Sequence, residues 1–64
     1  MNLETVIDNY LFRLMSDGTV EISYKSDKSK DPIHRFVLSG DYDQVKFEKE
    51  CAWWYMENSS KLAY

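Results

Sequence analysis

The sequence predicts an α+β fold, a three-stranded antiparallel β-meander with one C-terminal α-helix packed on one face. Three observations carry this. Asp17-Gly18 stands between two β-rich runs, a third β-branched run lies between Pro32 and Gly40, and residues from Asp41 to Asn58 hold no helix breaker. With 64 residues there is room for a single domain, residues 1–64.

Residues 3–14 obey two patterns at once. Leu3, Val6, Ile7, Tyr10, Leu11 and Leu14 follow helical spacing. Residues 10–15 also read as the first arm of a hairpin, and register decides for the hairpin. If Ser16 and Asp17 make a type I turn and Gly18 takes the left-handed bulge position, Leu14 meets Val20, Phe12 meets Ile22 and Tyr10 meets Tyr24. Arg13 then lies opposite Glu21, so apolar and charged pairs align together. A helix would strand Phe12 on its polar side. Residues 2–7 read as a helical or extended lead-in.

Ser26–Asp31 is a polar loop, and Pro32 suits the first position of a strand. Ile33–Leu38 reads as the third strand, closed by Ser39-Gly40. Asp41, with Gln44 three residues on, reads as the cap of a helix over about 42–58. On a helical wheel at about 100° per residue, Val45, Phe47, Cys51, Ala52, Trp54, Tyr55 and Met56 share one broad arc facing the sheet. Lys46, Lys49, Glu50 and Glu57 share the other. Glu48 falls inside the apolar arc, where a partner such as His34 or Lys25 is expected, because an unpaired buried charge is costly. Trp53 falls among the charges.

Composition bounds the function. The formal charge is -3, with 8 Lys+Arg against 11 Asp+Glu. Residues 16–40 sum to zero, and residues 41–64 carry five acids and three bases. Strong phosphate binding needs a net positive field, so nucleic acid is a disfavoured partner. A nucleic-acid binder using the open sheet face, with Arg13, Lys25, Lys28, Lys30 and Arg35, is the alternative reading. No phosphate loop, nucleophile elbow or metal-ligand spacing appears, so no enzyme, cofactor or metal is expected. His34 is the single histidine and Cys51 the single cysteine; both read as packed residues. One cysteine and no secretory leader point to a cytoplasmic location, and no apolar run is long enough for a membrane span.

The expectation is a small non-enzymatic inhibitor or adaptor that works by protein–protein contact, of the size found among phage and mobile-element regulators. A homodimer would answer the marginal core of so short a chain. Two surfaces are candidates. One is the helix flank with Trp53, Glu50 and Glu57, an exposed Trp being a common binding hot spot. The other is the bare sheet face with Leu11, Arg13, Met15, Arg35 and Val37. Leu62 or Tyr64 folding back over Trp53 is the competing expectation.

Overall fold

The computed structural model describes residues 3–26 and 32–62. Among them the chain forms β1 (Leu3–Ile7), β2 (Tyr10–Leu14), β3 (Thr19–Tyr24), β4 (His34–Val37) and α1 (Gln44–Asn58), followed by a 3-10 turn at Ser59–Lys61. The α+β class and the order of sheet then helix stand. The sheet has four strands instead of three, in the order β1-β2-β3-β4 and antiparallel throughout.

The additional strand is the lead-in. Leu3, Thr5 and Ile7 pair with Leu14, Phe12 and Tyr10, while Glu4 and Val6 pair with Arg13 and Leu11. A two-residue loop, Asp8-Asn9, joins the strands, with Asp8 at φ 54°. Asp and Asn tolerate positive φ better than other non-glycine residues, so this turn forms without glycine.

The β2–β3 register is the one the sequence predicts: Leu14↔Val20, Arg13↔Glu21, Phe12↔Ile22 and Tyr10↔Tyr24. Gly18 sits at φ +90°, and the turn is closed by Met15 N–H donating to the Thr19 carbonyl at 2.7 Å. Asp17 Oδ1 accepts from Thr19 N–H at 2.9 Å, which holds the Asp17 carboxyl below its ordinary value. The last strand is shorter than expected, His34–Val37 in place of Ile33–Leu38. Ile33 and Leu38 still donate backbone bonds, to the Ile22 and Gly18 carbonyls at 2.7 and 2.9 Å.

The helix begins two residues later than expected. Its N-cap is Asp43, whose Oδ1 accepts from Lys46 N–H at 2.8 Å, and not Asp41. Alternation turns Phe12, Val20 and Ile22 toward α1, where they bury against Phe47, Cys51 and Leu62. Trp54 stacks on Phe36 with ring centroids 4.7 Å apart and lies 5.2 Å from His34. Phe12 meets Trp54, Phe36 and Tyr55 edge-on. His34, Phe36 and Leu38 thus face the helix, which leaves Arg35 and Val37 on the other face.

The helix runs beside β1 in the same direction. Gln44 Nε2 donates to the Glu4 carbonyl at 2.9 Å near one end, and Tyr55 O–H donates to Asp8 Oδ2 at 2.7 Å near the other. The first of these bonds occupies one backbone carbonyl of β1, at an edge otherwise open to pairing. The shortest molecular extent is 16 Å, the thickness of one sheet and one helix.

Candidate interaction surface

The inward stripe of α1 is narrow. Phe47 and Cys51 are buried, and Trp54, Tyr55 and Asn58 are half-buried on the same side. Three residues expected in the core are not there: Val45 is 62% exposed, Met56 75%, and Ala52 is exposed as well. A helix lying on a sheet buries a stripe of roughly 100°, and the apolar arc of this sequence is about twice that width on the wheel. Val45, Ala52 and Met56 stand about a third of a turn or more from the middle of the buried stripe. They form a second apolar stripe pointing to solvent.

Trp53, 63% exposed, joins that stripe, with Lys49 between it and Val45. Glu50 and Glu57 are exposed and lie with Lys46 along the same flank. The expected tail cover does not come from Leu62, which is buried in the core cluster with Phe47 and Cys51. Tyr64 lies outside the described residues. Glu48 is exposed instead of buried, and its Oε2 accepts from Gln44 Nε2 at 2.6 Å, an i, i+4 pair on the helix surface. Beside the start of the helix, Ser39, Asp41, Tyr42, Lys46, Lys49 and Glu50 line an open cleft of about 330 Å³.

The outer sheet face is less apolar than expected. Leu11 is 3% exposed and so offers no contact surface. β1 makes β2 an interior strand and sets Val6 beside Leu11, with Ser23 on the other side. Met15 is half-buried, whereas Val37 is 72% exposed. The centre of this face is a row across all four strands, Glu4, Arg13, Glu21 and Arg35, alternating in sign. Arg13 Nε lies 3.0 Å from Glu4 Oε2, and Arg35 Nε lies 3.5 Å from Glu21 Oε2. The Arg13 Nε–H is near its carboxylate but not aimed at it, and has no hydrogen-bond acceptor. Lys25 is exposed, while Lys28 and Lys30 lie outside the described residues.

Cys51 is enclosed on the core side. Burial first, then the Glu50 and Glu48 charges, push its thiol up to about 12. The Asp8 hydrogen bond, followed by desolvation, raises the Tyr55 hydroxyl. Among the described residues no three His, Cys, Asp or Glu converge to hold a metal, and no helix is long and apolar enough to cross a membrane.

Of the eight residues the sequence nominates, the structure gathers Trp53, Glu50 and Glu57 on one helix flank. It places Arg13, Arg35, Met15 and Val37 on the opposite side of the molecule and buries Leu11. Val45, Ala52 and Met56 are the surface residues that sequence reasoning assigns to the core. The signal that finds them is the excess width of the apolar arc, with Glu48 near its middle. No protein-family model matches the sequence, and no curated protein and no solved structure gives a significant match.

Proposed function

We propose that this chain is a small cytoplasmic, non-enzymatic protein–protein interaction module, an inhibitor or adaptor, whose binding surface is the outer face of α1. One observation carries the reading: Val45, Trp53 and Met56 are each more than half exposed on a single helix face whose opposite side is already committed to the core. A stiff aromatic beside apolar neighbours, rimmed by charge, is the anatomy of a binding hot spot. Glu50, Glu57 and Lys46 supply the rim and set the approach of the partner.

The nucleic-acid alternative draws less support. Arg13 and Arg35, its central cations, each lie against a carboxylate of the alternating row, so phosphate would have to displace Glu4 and Glu21.

The test compares the full chain with its Trp53→Ala variant as baits in a lysate of the source organism. Trp53 is mostly in solvent, so circular dichroism and thermal unfolding are expected to match within about 0.5 kcal/mol. Proteins held by the parent chain and lost from the variant support the reading. Retention that ignores the substitution overturns it, and retained nucleic acid released by salt favours the alternative.

A further inference from the structure

The outer stripe of α1 is self-complementary when turned over. We propose that its occupant is a second copy of this chain, docked helix against helix in antiparallel fashion about a two-fold axis near Lys49 and Ala52. The inference rests on reading the outer face of α1 as a binding surface, and it names the partner.

The argument starts from spacing. A two-fold axis pairs each residue with one at the mirrored position along the partner helix, and every contact occurs twice. Centred between Lys49 and Ala52, it sets Val45 against Met56 of the partner subunit at both ends of the stripe. In the middle Lys49 meets Ala52 of the partner subunit, where its alkyl stem lies along the apolar surface and its ammonium reaches toward the partner's Trp53. In antiparallel helix pairs each flank faces the same flank of its partner. The flank beyond the stripe carries Lys46 in the first turn and Glu57 in the last, both exposed. Turning the helix over brings Lys46 to the partner's Glu57, and Glu57 to the partner's Lys46. A parallel arrangement would instead set this flank against the opposite flank of the partner helix, so Lys46 and Glu57 would not meet each other. The Lys46–Glu57 pairing therefore fits an antiparallel second copy. Lys46 also borders the open cleft beside Tyr42, where the incoming carboxylate has room.

Size sets the strength. A 15-residue helix is about 22 Å long and roughly 10 Å across. One such face falls short of the ~800 Å² per partner of a standard interface. The dimer should therefore exchange readily, with a dissociation constant on the order of 100 μM.

Sedimentation velocity of the full chain over a concentration series tests this. A monomer–dimer equilibrium is expected, and a chain that stays monomeric to about 1 mM, ten times that constant, overturns the proposal. The charge pairs supply the second arm. Lys46→Glu alone and Glu57→Lys alone each place like charges at both ends of the dimer, and each should weaken association by roughly ten-fold. Mixed in equal amounts, the two single variants restore opposite charges at both ends and should associate as well as the parent. So should the double variant K46E/E57K. Parent-like dimers in both single variants, or no recovery in the mixture, overturn the antiparallel helix interface. A monomeric chain that still captures other proteins through Trp53 would sink the dimer alone; a monomer that captures nothing would sink the binding surface as well.

Discussion

Gly18 holds a φ of +90°, and a Cβ there would stand 3.1 Å from the Leu38 carbonyl oxygen. Both the left-handed backbone and the close approach of the chain after β4 disfavour a side chain. Gly18→Ala is therefore expected to lower stability by about 1–2 kcal/mol, read as a lower urea midpoint with an unchanged slope. Asp8 shows the other solution to the same steric problem. It accepts φ 54° with a side chain in place, and that side chain then binds the Tyr55 hydroxyl at 2.7 Å. The glycine turn was legible because Asp-Gly between alternating runs has few other meanings. The Asp8-Asn9 turn was not, because neither residue demands a turn unless a strand stands on each side of it.

At the scale of elements, the helix start separates two acids that the sequence offers equally. Asp41 and Asp43 both precede the helical run, but only Asp43 is the N-cap, bonding Lys46 N–H. Asp43→Ala should cost about 1 kcal/mol of stability, while Asp41→Ala should stay within about 0.5 kcal/mol; thermal unfolding of the two variants checks this. Cap choice depends on where α1 must lie so that Gln44 reaches the Glu4 carbonyl, a distant contact invisible in local sequence. The same holds for β1. Leu3–Ile7 fits helical and strand spacing alike, and pairing with β2 selects the strand. Once β1 is in place Leu11 has a strand neighbour on each side, Val6 and Ser23, while Glu4 takes Arg13 as its ion pair.

For the whole molecule, thinness is the governing property. With one sheet and one helix, the buried cluster is Phe12, Val20, Ile22, Phe47, Cys51 and Leu62. A neutral thiol is part of that cluster, which gives stability an alkaline limit. Below pH 9.0, its ordinary value, Cys51 is protonated in both states and adds no pH dependence. Above it the unfolded chain ionises Cys51 while the folded chain, with the thiol pushed up to about 12, does not. The unfolded state then binds fewer protons, so stability falls as pH rises. Tyr55, raised from 10.0, acts in the same direction at still higher pH. Between pH 9 and 10 the Cys51 contribution should remove under about 1 kcal/mol, water being close by in so thin a molecule. Denaturant titrations at the two pH values measure it, and a Cys51→Ala chain should lack this part of the slope.

Local chemistry by itself determined the α+β class, the β2–β3 register, the inward set Phe12, Ile22 and Phe47, and the place of Trp53 on the charged side of the helix. Each follows from a turn signal or a short-range period, which a stretch of chain obeys before it meets anything distant. Tertiary structure alone decided that Leu3–Ile7 is a strand, that Leu11 is buried, and that Val45, Ala52 and Met56 face outward. Those outcomes depend on how wide a stripe the sheet can cover and on which strand lies beside which. A periodic pattern states that an apolar side exists, but only a packed neighbour settles how much of it is hidden from water.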